Sequence, residues 1–398
     1  MGKIALAGAL AGTAILMGCR VVHINTAVRE LEREGTLVVE VSDIARQLEP
    51  SRRGAPVVVR VFRGNQRRAW IAHRVMNADD PFYLKLSAGT YAIDAFEDGD
   101  RDVELDVGER LSPLRVVELD VQESAHIRLR LRHDRASGNA QPRADRRTFL
   151  VAHDLLSSPR FGPEEANASR FRPRRSMRRY PAGLFAIGRP TPAMPVIFVH
   201  GYAGYAQQFE RLLHAVPEGA QAWVFQYPMS VRVEESASRL RDAIEEMSLR
   251  FGYQRVAVVA HSAGGIVARR TLALLGHASP VRCMSTLSTP MAGVAKAAFG
   301  IRRSPVVIPL WRDLAPGSTR LERLFSDPVR HHDYLLVSAQ IPDAEVPGDG
   351  TIAIDSQRRQ EAVEAASDTL HVEADHEGVL SHPEVVSRLG SFLSACQR

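Results

Sequence analysis

Cysteine is scarce in this chain: 398 residues hold three, Cys19, Cys283 and Cys396. So few thiols, at such spacings, make neither a disulfide framework nor a metal site. Cys283 falls in a run that reads as a buried strand and Cys396 lies near the C-terminus; both read as small core or tail residues, with a pairing between them left open. Charge excess is also small. Fifty-one basic residues against 46 acidic ones leave a formal +5, too slight for a dedicated nucleic-acid surface. The conspicuous apolar run, Ile4 to Leu16, is too short to span a bilayer comfortably. No internal repeat is apparent. A hydrophobic content of 45% with 24% charged residues is that of a globular protein, and the length allows two or more domains.

In chain order, residues 1–18 read as a signal peptide: Lys3, the apolar run, then Met17-Gly18 before Cys19. Residues 19–34 are polar and suit a tether. From 35 to 134 short alternating runs (Leu37 to Val41, Val57 to Phe62, Phe82 to Leu86, Tyr91 to Phe96, Val116 to Leu119, Ile127 to Leu131) predict a small antiparallel β-sandwich. Inside it Asp98, Asp100, Asp102, Glu104, Asp106 and Glu109 fall at EF-hand ligand spacings. Val103 replaces the required glycine and the flanks are strand-like, so the run reads as alternation in a solvated loop and strand, and no metal site is assigned. Residues 135–192 are rich in arginine and proline, with Arg170, Arg172, Arg174, Arg175, Arg178 and Arg179 clustered. They read as a solvated connector, or as a patch for anionic headgroups, with two possible short strands at Phe149-Ala152 and Gly183-Ile187.

From 193 to 398 strands alternate with helices, the pattern of a parallel sheet covered on both faces. A helix of period 3.6 runs from Val233 to Phe251 and stops at Gly252. The β-branched run Val256 to Ala260 then breaks at His261-Ser262, and a helical pattern follows at once. Ala260 and Gly264, two residues either side of Ser262, are small enough for a sharp strand-to-helix turn. Such an elbow lifts a hydroxyl out of the fold at the positive end of a helix.

A hydroxyl needs a base, and the base a carboxylate to hold its tautomer. His376 and Asp349 lie on loops after later strands, in the order acid then histidine. Asp343 and Asp355 share the acid region, but Asp349 sits between glycines in a tight turn. Asp375 would have to fold back to reach the ring of His376. His371 falls in a strand, His382 just before the last helix, and His331-His332 at the wrong end of the sheet. His261 reads as a packing or hydrogen-bonding residue. Two backbone donors are expected for an oxyanion, Ala263 at the helix start and Tyr202 in the loop His200-Gly201-Tyr202-Ala203-Gly204.

These residues carry a resemblance. With Val199-His200-Gly201, Ala260-His261-Ser262-Ala263-Gly264-Gly265, Ser288-Thr289-Pro290-Met291-Ala292-Gly293, Asp349-Gly350-Thr351-Ile352 and His376, the chain from about residue 150 resembles bacterial lipases and esterases of the α/β-hydrolase superfamily. The resemblance implies an α/β-hydrolase fold behind the β-sandwich and a Ser262-His376-Asp349 triad acting on acyl or lipid esters without a cofactor. An acyltransferase on lipid or envelope components, or a non-catalytic tethered binding protein, are the alternatives. The insertion at about 291–330 implies a cap shaping an acyl pocket, or ordinary packing helices. The start resembles a bacterial lipoprotein signal, which implies lipidation at Cys19; an ordinary signal peptide or short anchor is the alternative. Arg20, not an aspartate, after the cysteine favours the outer membrane, facing the periplasm. The partner of the sandwich stays unknown.

Overall fold

Strands with one apolar face must bury it, and in the first third of the chain two sheets do so against each other. The computed structural model describes residues 34–42, 55–67, 70–76, 81–101, 103–106, 108–131, 149–152, 158–171, 182–228, 230–305, 307–326 and 332–398. The signal-like start, Cys19, the tether up to residue 33, Asp102, and Arg172, Arg174, Arg175, Arg178 and Arg179 lie outside the described residues. The strands β1 (Glu34–Val41), β2 (Val57–Arg63), β3 (Trp70–Met76), β4 (Phe82–Ser87), β5 (Gly89–Glu97), β6 (Arg115–Leu119) and β7 (Ser124–Leu129) form sheets ordered β4-β1-β7 and β3-β2-β5-β6. Leu37 and Val39 of one sheet share a core with Val59, Val61, Ile93 and Ala95 of the other. The sandwich is not wholly antiparallel: β7 runs parallel to β1. The chain enters β7 from β6 of the opposite sheet, so no hairpin dictates the direction of that pair.

The rest of the described chain contributes one eight-stranded sheet. Its strands are β8 (Phe149–Ala152), β9 (Gly183–Ile187), β10 (Met194–Val199), β11 (Ala220–Gln226), β12 (Val256–His261), β13 (Val281–Leu287), β14 (Asp333–Gln340) and β15 (Asp368–Glu373). The order is β15-β14-β13-β12-β10-β11-β9-β8; β15 through β11 are mutually parallel, and β9 is antiparallel to β11. The helices are α1 (Pro163–Phe171), α2 (Val233–Phe251), α3 (Ala263–Leu275), α4 (Ala295–Arg303), α5 (Pro309–Leu314), α6 (Thr319–Ser326), α7 (Ile354–Gln357), α8 (Gln360–Ala365) and α9 (Pro383–Gln397). α2 and α3 cover one face, where Leu240, Ile244, Ile266 and Leu272 meet Ile197, Trp223 and Val258. α9 and the 3-10 segment Ala206–Ala215 cover the other, where Phe209, Leu212, Leu389 and Leu393 meet Val196, Phe198 and Val259. α2 ends at Gly252 in the left-handed region (φ 72°), as its sequence predicts. This is an α/β-hydrolase fold accompanied by an all-β unit.

Cys283 and Cys396 form a disulfide, which corrects their reading as lone core and tail residues. α9 packs over the sheet and brings its last turn to β13, a contact that a separation of 113 residues hides from local pattern. Closing so long a loop restrains the unfolded chain, and such bonds contribute on the order of 2–4 kcal/mol. Cys396→Ser should therefore lower Tm by several degrees, and reductant should lower the parent Tm but not that of the variant. Equal melting curves for parent and variant would rule this contribution out.

β3 has no counterpart among the predicted strands, because His73 and Arg74 break its apolar pattern. As the edge strand of its sheet it meets a helix instead of water, through neighbouring side chains on both of its faces. His73 Nε2 lies 2.8 Å from Glu246 Oε2, and Arg74 lies 3.5 Å from Asp242 and 3.6 Å from Glu245, all on α2. The insertion is likewise tied down. Ile308, Leu310, Leu314, Leu321 and Leu324 join the α2–α3 core. Buried Asp313 accepts hydrogen bonds from Arg232 (2.6 Å) and from the Val233 amide at the start of α2 (2.9 Å). These contacts tie the insertion to the α2–α3 core and to the start of α2.

Candidate active site

Four loops meet at the C-terminal ends of the parallel strands, where open α/β sheets place their ligands. β12, buried along its whole length, ends at His261. Ser262 then takes φ 55°, ψ −133°, and α3 begins at Ala263. That backbone is costly for a residue with a Cβ. It is held because the Ser262 amide donates to Leu287 O of β13 at 2.9 Å and Gly265 N donates to Ser262 O at 3.0 Å. A Cβ on Gly264 would sit 2.4 Å from Val199 O, so only glycine lets α3 start this close to β10.

β15 ends at Glu373 and delivers His376; β14 ends at Gln340 and its loop delivers Asp349. Ser262 Oγ lies 3.0 Å from His376 Nε2, and His376 Nδ1 lies 2.7 Å from Asp349 Oδ2. The network assigns the tautomer: Nδ1–H donates to the carboxylate and Nε2 accepts from the serine hydroxyl. Asp349 is 1% exposed, and its Oδ1 accepts from the amides of Thr351 (2.9 Å) and Ile352 (2.7 Å). Burial pushes this carboxyl up. The hydrogen bond and charge of His376, with the two amides, outweigh it and hold the group below its ordinary 3.8. The structure thus joins Ser262, His376 and Asp349. Asp343, Asp355 and Asp375 are exposed, and Asp375 Oδ1 accepts from the Gly378 amide. His371, on β15, bonds Ser338 of β14, and His382 precedes α9.

The loop after β10 passes directly over the serine. A Cβ on Gly201 would lie 2.5 Å from Ser262 Cβ, which is the physical reason for glycine there. Tyr202, the next residue, is half-buried against the α2–α3 core. The Ala263 amide lies in the first turn of α3, where N–H groups have no intrahelical acceptor. The loop is fixed from beneath: Tyr227 OH donates to His200 O at 2.5 Å, and its ring stacks on that of His200 at 4.5 Å.

His261 behaves as the sequence predicts, a hydrogen-bonding residue and not the base. Its Nε2 donates to His376 O at 2.9 Å, and its Nδ1 accepts from Gln208 at 3.2 Å. Gln208 in turn accepts from the Tyr205 amide at 2.9 Å, so Gln208 and His261 together link the β10 loop to the histidine loop. Gln357 does the same for the acid loop, bonding Ala339 N and O and Ile352 O. Neither glutamine has a signal in the sequence, since an isolated Gln reads as surface.

Burial first, then the neighbouring His376, pushes His261 down to about 3, and burial pushes His200 down to about 4. In the unfolded chain each takes a proton near 6.5. The unfolded state therefore binds more protons across that interval, and stability falls as pH drops below about 6.5. Asp349 acts in the same direction only below its ordinary 3.8. The urea midpoint should be lower at about pH 5 than at about pH 7.5, and His261→Gln should shrink the difference. An unchanged difference would mean that other groups carry it.

The acidic run of the sandwich is not the solvated alternation expected. Asp98, Asp100 and Glu109 bring carboxylate oxygens within 4.8 Å of one another, and Asp98 and Glu109 are buried. Glu109 accepts from the Gly99 amide (2.6 Å) and the Asp106 amide (2.9 Å), and Asp98 from the Val103 amide (3.1 Å). The loop folds over its own carboxylates, and burial raises Glu109 to about 7.

Residues 225–301, from the end of β11 through Ser262 into α4, match the family model described as a PGAP1-like alpha/beta domain. Comparison with curated proteins gives no match. Among solved structures the chain is similar to the Bacillus licheniformis lipase BlEst2 in mature form, at 18% identity and a TM-score of 0.43, over 54% of this chain and 97% of that one. It is similar to the Pyrococcus furiosus esterase Pf2001, at 16% identity and a TM-score of 0.40, over 55% and 86%. Phospholipase PlaB from Legionella pneumophila is similar at 20% identity and a TM-score of 0.36, over 42% of this chain and 45% of its own.

Proposed function

We propose that the chain is a serine hydrolase of carboxylic esters, with acyl lipids as the substrate class. The observation that carries this reading is the unbroken hydrogen-bonded series from Ser262 Oγ through His376 to Asp349. Ser262 Oγ attacks the acyl carbonyl while His376 Nε2 takes its proton. The amides of Tyr202 and Ala263 donate to the oxyanion. The tetrahedral intermediate collapses, and the imidazolium returns the proton to the departing alkoxide. Water, deprotonated by the same imidazole, then releases the acyl group as a carboxylic acid. Asp349 stays ionised and stabilises the imidazolium. The fluorophosphonate group, which phosphonylates an activated serine, tests this directly. One equivalent of label on Ser262, with turnover of a p-nitrophenyl ester lost in step, is expected. Labelling elsewhere while Ser262 stays unmodified would refute the assignment.

The same reading extends to location. The apolar run Ile4 to Leu16 ahead of Met17-Gly18-Cys19 supports lipidation of Cys19. The disulfide suits an oxidising compartment such as the periplasm. Membrane attachment through an acylated Cys19, on the outer membrane facing the periplasm, is part of the proposal. Radiolabelled palmitate should enter the parent chain and not the Cys19→Ser variant; equal labelling of both would exclude Cys19 as the acceptor.

A further inference from the structure

Between the sandwich and the hydrolase unit lies a cavity of about 800 Å³, bounded by β4, α2, the outer end of α3, α5 and α6. None of Ser262, His376 and Asp349 lines it. We propose that this cavity binds an amphipathic anion with a single alkyl chain, its headgroup at Arg312 and its chain against Leu84, Leu274 and Val307.

The charge on the walls points to an anion. Six arginines line the cavity against four acidic residues, Glu34, Glu234, Glu235 and Asp242. Five of the arginines are engaged within the protein: Arg232 and Arg320 with Asp313, Arg239 with Glu235, Arg241 with Asp242, and Arg270 with Glu234. Arg312 is exposed toward the cavity and makes no ion pair or hydrogen bond with the described residues. Arg239, although its terminal nitrogen reaches Glu235, keeps a buried Nε–H without an acceptor. Buried donors of this kind are expected to find an acceptor.

Apart from Thr36, Gln122 and Ser238, the remaining wall is apolar. Leu84, Leu274, Val307 and Pro309 face the space, and Tyr83 leaves 56% of its surface uncovered beside them. An inorganic anion would satisfy Arg312 and leave that wall wet; a neutral alkane would do the reverse. The volume falls within the range of about 300–1,000 Å³ typical of small-molecule sites. Fatty carboxylates and lysolipid phosphates share the required chemistry. The binding does not depend on the hydrolytic reading above, although hydrolysis of lipid esters would supply such anions.

The test uses the full chain carrying Ser262→Ala, so that neither turnover nor acylation enters the signal. Titration calorimetry with dodecanoate and dodecyl phosphate, below their micelle concentrations, reads binding, with acetate and dodecanol as controls. At least one long-chain anion should bind, with both controls about tenfold weaker or more. Binding of dodecanoate alone identifies the fatty carboxylate, and of dodecyl phosphate alone the lysolipid. Arg312→Glu should weaken binding by about tenfold or more, and Tyr83→Ala, on the sandwich side, by several-fold, with unchanged circular dichroism. Both side chains are exposed, so neither variant disturbs the core. The proposal is overturned if neither anion binds, if dodecanol binds as tightly, or if both variants bind like the parent. Fluorophosphonate labelling of Ser262 is a separate readout, so loss of one conclusion leaves the other standing.

Discussion

Ser262→Ala should lower kcat for a soluble acyl ester by on the order of 10⁵- to 10⁶-fold, while the residual rate stays above that in water because the amides of the oxyanion site remain. The fold should be untouched. The side chain makes one hydrogen bond, to His376, and the backbone bonds to Leu287 and Gly265 that hold the turn do not involve it. Alanine suffers the same backbone strain at φ 55° as serine, so Tm should not move. Glycine separates the two effects. Relief of strain at such a position is worth about 1–3 kcal/mol, and the extra entropy of glycine in the unfolded chain offsets about 0.5–1 kcal/mol of it. Ser262→Gly should thus be as inactive as the alanine variant and more stable than the parent by about 1 kcal/mol. On the proposed mechanism, the strain at Ser262 is stability given up for chemistry. Turnover by the purified alanine variant within tenfold of the parent would remove Ser262 from the mechanism.

The parts of this architecture that are legible in the sequence are those encoded within a few residues. The run Val256 to Ala260, the break at Ser262 and the small residues at 260 and 264 describe strand, turn and helix in nine positions, and the structure has that order. His376 and Asp349 are legible by position, because each follows a later strand that runs parallel to β12 and ends at the same edge of the sheet. The rest depends on contacts distant in sequence. β3 stayed hidden because the partner of His73 is Glu246, on another unit of the fold. The Cys283–Cys396 bond required knowing where α9 docks. Gln208 ties the β10 loop to His261, and Gln357 ties the acid loop to β14, through side-chain amides that have no periodicity to betray them. The acidic run misled in the opposite direction: alternation suggested solvent, whereas Asp98 and Glu109 turn inward onto backbone amides.

Asp349→Asn should reduce kcat/KM by on the order of 10⁴-fold with little change in stability, whereas Asp343→Asn and Asp355→Asn should leave it near the parental value. The argument turns on which atom carries the imidazole proton. The carboxylate accepts at both oxygens: Oδ1 from the Thr351 and Ile352 amides, Oδ2 from His376 Nδ1. An asparagine that keeps its carbonyl oxygen toward those two amides must present its NH₂ group to His376. Nδ1 then becomes an acceptor and the ring proton moves to Nε2, where it faces Ser262 Oγ and can no longer take a proton from it. Asp349→Ala differs in a measurable way. It strips both amides of their acceptor, and a buried unsatisfied donor costs about 1–3 kcal/mol, so this variant should lose stability as well as activity. Asp343 and Asp355 are exposed and make no bond to His376, so neither can set its tautomer. Kinetics and melting curves on the four variants separate the roles. An Asp355→Asn variant as impaired as Asp349→Asn would show that the acid has been placed on the wrong side chain.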